Sequence, residues 1–352
     1  MAYTNIDDPS AHFQTLLWTG NSSDGRALTN DGNSDLQPDW VWLKNRNAGY
    51  NHFLQDSSRG NTKVLNSDST AAESTYTNMV ESFDTNGFTV GFDGGQVPNF
   101  NGNTFVAWQW KVNGGTTTSL TSNINSVCQV NQDAGISIVK YTCTGGGNGQ
   151  AVQHGLGLVP QVIITKNRTD TSYSDWITYH HILTKDNFVK LNSNAASATN
   201  SPYNGAAPTS STYNVSIDLV EATKDYVSYV FAPIQGYSKF GSYVGNGNAN
   251  GPFVYTGFKP AFLIIKDTGA AGNWFITDHK RNPFNLTDDW LVANGSGAET
   301  NYLNASSVDY LSNGFKLRTS YSETNTSGRT YIYMAFAENP FVTSTGVPAT
   351  AR

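Results

Sequence analysis

Charge is scarce in this chain. Asp, Glu, Lys and Arg together supply only 14% of its 352 residues, too few to line solvated helices with ion pairs, and strong helix formers are also sparse. The net charge of -6 provides no basic field and Lys and Arg never gather beyond a pair, so nucleic acid is not an expected partner. Cysteine is nearly absent. Cys128 and Cys143 are too few for the disulfide framework of a small secreted domain, and the sequence leaves open whether they pair. Apolar runs stay strand-sized, far below the ~20 residues of a membrane-spanning helix, so no membrane insertion is expected. Met1 to Asp8 contains neither a basic stretch nor an apolar core, which reads as synthesis in a cytoplasm without a signal peptide.

What is plentiful is Gly, Asn, Ser and Thr, with aromatic residues at 12%, a mixture that suits short strands joined by polar turns. Five elements recur in order, three times. A first strand and turn read Leu17-Trp18-Thr19-Gly20, Lys140-Tyr141-Thr142-Cys143 and Ser242-Tyr243-Val244-Gly245. A second strand follows a proline: Trp40-Val41-Trp42-Leu43-Lys44-Asn45-Arg46 after Pro38, Val162-Ile163-Ile164-Thr165-Lys166-Asn167-Arg168 after Pro160, and Phe262-Leu263-Ile264-Ile265-Lys266-Asp267-Thr268 after Pro260. A third segment opens at His52, Asp175 and Asn273 and runs, in the first and last copies, to Glu73 and Glu299. The fourth begins Asn86-Gly87 and Asn313-Gly314, a hairpin signal, with Tyr213 to Ile217 as its counterpart; the fifth is aromatic, at Phe105 to Trp110, Tyr226 to Phe231 and Tyr331 to Phe336.

Short strands with no helical period between them predict an all-β protein of three tandem antiparallel β-sandwich units, jelly-roll or lectin-like. The limits follow from the recurrences: unit one over 1–112, a Gly/Thr/Ser/Asn-rich linker or surface loop over 113–135, unit two over 136–236, unit three over 237–341 and an extended tail over 342–352. Most strands alternate apolar and polar residues, but those after the prolines are apolar on both faces. Their second face is covered either by the unit's own loops, the simpler expectation, or by another copy or chain. Lys44-Asn45-Arg46 and Lys166-Asn167-Arg168 read as solvated strand ends that discourage edge pairing.

Motifs for chemistry are missing. His180 and His181 are adjacent, and on a strand adjacent side chains point to opposite faces, so they do not predict a metal site; no zinc spacing or calcium cluster recurs. The run from Thr144 to Gly149 is Gly-rich like a phosphate loop, but Gln150-Ala151-Val152 follows where a helix start is needed, so it reads as a turn. There is no Gly-x-Ser-x-Gly, and acidic pairs such as Asp288-Asp289 are common in β-rich chains. No catalytic residue, metal ligand or cofactor is therefore predicted. Loop aromatics are the better candidates for contact with sugar or protein: Tyr50, Tyr173, Tyr203, Trp290, Tyr302 and Tyr321.

The opening Met1-Ala2-Tyr3-Thr4, the segments Gly236 to Tyr243 and Gly251 to Phe262, and the ending Tyr331 to Phe341 with Gly346 to Arg352 together resemble a family of virion structural proteins of marine tailed bacteriophages. The resemblance spans essentially the whole chain and brings no catalytic or binding residues with it. It implies a non-enzymatic component of the particle, assembled in the host cytoplasm. The leading expectation is a tail fibre or appendage that meets the host surface, with other virion proteins and a surface glycan or protein as partners and a homo-oligomer, favoured as a trimer. A capsid or tail decoration protein is the alternative within the virion, and a tailspike-type glycan-cleaving enzyme the alternative from another class.

Overall fold

The computed structural model describes residues 3–350 apart from 93, 95–97, 146, 172–173, 217–218, 220 and 302–306. The fold is all-β and antiparallel, with only a three-residue 3-10 turn and a four-residue helix among the described elements. Three larger sheets follow one another along the chain. The first has the order Phe13–Thr19, Thr104–Trp110, Trp40–Asn45, Phe53–Asp56. The second contains Ile136–Thr142, Asp225–Phe231, Val162–Asn167 and Ile177–His180 in the same relative order, and the third Ser238–Val244, Thr330–Pro340, Phe258–Asp267 and Trp274–Asp278. Each is faced by a smaller sheet: Arg26–Thr29, Gly87–Val90 and Val80–Asp84; Gln150–Gln153 with Thr212–Val215; and Phe253–Tyr255, Gly314–Leu317 and Val308–Leu311.

The two-faced strands explain how these layers assemble. Because side chains alternate across a strand, one face of Trp40–Asn45 sends Val41 and Leu43 toward the first small sheet, and the other sends Trp40 and Trp42 away from it. Ile163 and Leu263 likewise face their own small sheets while Val162, Ile164, Phe262 and Ile264 turn outward. All the outward faces meet. Trp40, Trp108 and Trp110, then Ile138, Ile164 and Phe231, then Phe262, Met334 and Phe336 form one cluster to which every larger sheet contributes. Thus the second face is covered by the other sheets rather than by local loops. Packing there is close: the space left among Trp40, Trp110, Ile164, Phe262 and Phe336 is about 10 Å3, at the threshold for one water.

The segment 113–135 is not a free linker. It supplies Thr118–Leu120 and Ser126–Asn131, which pair in turn and lengthen the second sheet beyond Ile136–Thr142. Its composition concealed this, since Leu120, Ile124, Val127, Cys128 and Val130 are scattered among Gly, Asn and Ser. Cys128 and Cys143 are free thiols, both buried in the second sandwich.

Candidate contact surface

The strand-end lysines expected in solvent are buried. Lys44, Lys166 and Lys266 stand one residue before the ends of equivalent strands, and each reaches a loop of a different sheet pair. Lys44 Nζ donates to Tyr50 O at 2.7 Å, Asn45 O at 3.0 Å and Ser296 O at 3.0 Å. Lys166 Nζ donates to Ser174 O and to Thr70 O, the latter at 3.1 Å. Lys266 Nζ donates to Asp267 O and Gly272 O, both at 2.9 Å, and to Asn194 O at 3.2 Å. An ammonium has three donors, and main-chain carbonyls satisfy them without needing a carboxylate. Burial pushes all three amines down to about 8, which leaves them charged at neutral pH.

A second set of contacts repeats the same circuit. Glu73 N donates to Arg168 O at 2.9 Å, Ser197 N to Thr268 O at 3.0 Å and Glu299 N to Arg46 O at 2.6 Å. Side chains reinforce two of these junctions. Glu299 receives Arg46 Nη2 at 2.6 Å and Arg281 Nη1 at 2.9 Å; Glu73 receives Arg168 Nε at 2.8 Å and Arg59 Nη1 at 2.9 Å. Arg281 and Arg59 are each paired as well with an aspartate of their own sheet, Asp278 at 2.6 Å and Asp56 at 2.5 Å. At the third junction Ser197 Oγ simply donates to Thr268 O at 2.9 Å.

Indole and imidazole groups complete it. Trp176 Nε1 donates to Asn66 O at 2.7 Å and Trp274 Nε1 to Lys190 O at 2.9 Å. His52, at the matching place, accepts Trp42 Nε1 on Nδ1 at 2.8 Å, which puts its proton on Nε2, 3.0 Å from Val292 O. Burial holds this imidazole neutral. Buried charges in such number are frequent at active sites; here the three lysines meet carbonyls of their own and of an adjoining sheet pair, Arg46 and Arg168 meet a carboxylate across a junction, and Arg59 and Arg281 meet carboxylates and a carbonyl of their own sheet pair. His180 and His181 do approach, with ring centroids 5.2 Å apart, because His181 lies past the strand end where alternation stops. Among the described residues no group of three or more His, Cys, Asp or Glu side chains gathers as a metal site.

The sequence-predicted contact aromatics scatter. Tyr203 and Trp290 belong to the core, correcting their assignment to exposed loops: Tyr203 Oη bonds Thr165 Oγ1 and Ile177 O at 3.1 Å, and Trp290 packs edge-on to Phe275. Turn-rich flanks hid the fact that both rings close a sandwich. Tyr321 is half-buried against the third sandwich core, and Tyr50 is half-buried with its carbonyl on Lys44. Tyr173 and Tyr302 lie outside the described residues.

An exposed aromatic surface exists elsewhere. A groove of about 850 Å3 is lined by Ser238–Val244 and Phe253–Tyr255 together with His181 and Ile182 of the second sheet pair. Phe253 and Tyr255 are 47% and 46% exposed on its rim. Tyr3 Oη donates to Gly257 O at 2.7 Å and sits 3.2 Å from Tyr255 Oη, while Lys239 Nζ donates to Tyr255 O at 2.8 Å and lies 5.2 Å from that ring's centre. The alternation in Phe253-Val254-Tyr255, apolar on both faces of a short outer strand, was the available signal.

These features define an all-β protein whose three sheet pairs close around one shared core. The chain belongs to the family of the domain of unknown function DUF7483, whose family model matches residues 8–340. No curated protein and no solved structure matches it.

Proposed function

We propose that this chain is a non-enzymatic structural protein of a tailed-phage particle, a tail fibre or appendage that contacts the host surface. The reading starts from the sequence resemblance. The structural observation that supports it is the shared core of the three larger sheets, clamped at every junction by lysines bonded to main-chain carbonyls. Such a body spends its buried charge on rigidity and leaves its outer loops for recognition, which suits an appendage exposed to shear and dilution. We also read it as three fused copies of one sandwich unit, because the main-chain bond from Glu73, Ser197 or Glu299 to the neighbouring strand end recurs at each junction. On that reading the trimeric packing expected of separate chains is met inside one chain, and further self-association uses only outer surfaces.

Gold-labelled antibody against the chain should decorate the tips of particle appendages, and purified protein should adhere to host cells without releasing oligosaccharide from their envelope. Labelling spread over the capsid shell would replace this reading with the decoration protein. Reproducible oligosaccharide release would replace it with a glycan-cleaving enzyme.

A further inference from the structure

The three larger sheets differ at one edge. In the second, Ile136–Thr142 is covered on its outer side by Ser126–Asn131, an antiparallel strand of the same chain. In the first, the matching strand Phe13–Thr19 also pairs with one neighbour, Thr104–Trp110, but Arg26 Nη1 occupies Thr19 O at 2.7 Å and Gln14 holds the 32–34 loop beside its start, donating to Ser34 O at 2.7 Å and accepting Gly32 N at 2.9 Å. In the third, Ser238–Val244 pairs with Thr330–Pro340 alone.

The direction of its free groups can be read from its bonds. Gly245 N donates to Arg329 O at 2.9 Å, so alternate residues back from Gly245 face the sheet. Phe240, Ser242 and Val244 then face outward, in agreement with the 2.9 Å bond between Phe240 O and His181 Nε2. The outward main-chain groups of Ser242 and Val244 have no hydrogen-bond partner among the described residues. Around them Val244, Phe253, Tyr255 and Ile182 are 57%, 47%, 46% and 40% exposed. Edge strands are usually blunted, and this one carries a single charge, Lys239, whose ammonium meets a carbonyl and a ring but no carboxylate.

We infer that the outer edge of Ser238–Val244 is a docking site for an extended, acidic segment of a partner protein, which adds to the third sheet as an antiparallel strand. The chain supplies the template. Ser126–Asn131 performs this role on the second sheet, with Val127 opposite Lys140 and Val130 opposite Ser137. Matching Lys140-Tyr141-Thr142 to Ser242-Tyr243-Val244 places Lys239 where Ser137 stands, so the incoming residue at the Val130 position faces Lys239 and is acidic by charge complementarity. Alternate apolar side chains of the segment cover Phe253 and Tyr255, and its main chain satisfies Ser242 and Val244. His181 holds the carbonyl of Phe240 until the segment replaces it. This inference concerns strand addition and does not depend on a viral origin.

The probe is a capped, fluorescein-labelled peptide with the Ser126–Asn131 sequence carrying S126V, C128V and V130E, so that two apolar side chains and the acidic one share the face of Lys239. Fluorescence polarisation with the full chain should give saturable binding, weakened at least tenfold by Ser242→Pro and unaffected by Ser242→Ala. Proline is tolerated on edge strands but removes the outward N–H, so both variants should retain the wild-type thermal midpoint. Lys239→Glu provides a second arm that does not touch the main chain. It should weaken the acidic probe and favour, by a similar factor, a probe with lysine at the same position. The inference is overturned if the probe fails to saturate by about 1 mM, a weak limit for a specific contact. It is equally overturned if folded Ser242→Pro and Lys239→Glu bind the acidic probe like wild type. Self-association of the free chain that Ser242→Pro abolishes would assign the edge to a second copy, and displacement of the probe by host envelope oligosaccharide would assign the groove to a glycan; either result also refutes the proposal.

Discussion

Replacing Glu299 by Gln tests whether the junction carboxylates hold the sheet pairs together. The carboxylate receives Arg46 Nη2 at 2.6 Å, Arg46 Nε at 3.0 Å and Arg281 Nη1 at 2.9 Å, and the Arg281 side chain has no solvent exposure. Gln keeps the volume but removes the charge and one acceptor oxygen, so its remaining carboxamide oxygen serves Arg46 or Arg281 while its NH2 faces the other guanidinium; Arg281 keeps Asp278 and Ile276 O. Breaking a fully buried pair from one side costs about 3–5 kcal/mol. Because Asp278 remains on Arg281 and Arg46 is 20% exposed, the expected loss is smaller, about 2–4 kcal/mol. The control is Lys280→Gln, whose partner Asp31 is 62% exposed. That loss should stay below about 1 kcal/mol. Urea unfolding followed by both tryptophan fluorescence and far-ultraviolet circular dichroism reads the difference, with coincident curves required before free energies are compared. If Glu299→Gln cost no more than Lys280→Gln, the junction would be an ordinary surface pair and the clamp argument would fail.

Stability should rise between pH 8 and pH 9, where the three lysines outweigh the buried thiols, and fall above about pH 10. Burial lowers Lys44, Lys166 and Lys266 to about 8, so over that window the folded protein has released protons that the unfolded chain still holds, and folding gains as pH increases. Beyond pH 10 the order reverses, since burial raises Tyr141, Tyr213, Tyr229 and Tyr243 and only the unfolded chain loses those phenolic protons. Thermal midpoints at intervals across this range check it, and a steady decline from neutral pH would contradict it. Gly245→Ala should destabilise by about 2 kcal/mol or more in the same urea assay, because a Cβ there would stand 2.3 Å from Thr326 O, a backbone atom that cannot swing aside. Both thiols should stay silent to an aromatic disulfide reagent at pH 8 and react only on unfolding, since Cys128 and Cys143 are buried and burial pushes Cys128 up to about 11. Rapid reaction of either in the folded protein would refute the burial argument.

Strand identity and order were already present in the sequence, because alternation and turn chemistry are local and a strand buried on both faces is conspicuous wherever it packs. Val162-Ile163-Ile164 announced two covered faces by itself. Glu73, Glu299, Arg168 and Arg46 recur at matching places in the sequence, but the arginines read as solvated strand ends there, and only the fold set them against the glutamates. What covered the second faces was decided only by tertiary structure. A lysine after an apolar run looks the same in sequence whether it meets water or three carbonyls; the carbonyls around Lys44 come from residues as distant as Ser296, and no local pattern encodes that meeting. For the same reason Tyr203 and Trp290 passed for exposed loop aromatics, and the strands within 113–135 passed for a linker. Composition and period specify which face of a segment is apolar, but burial depends on which distant segment arrives to cover it.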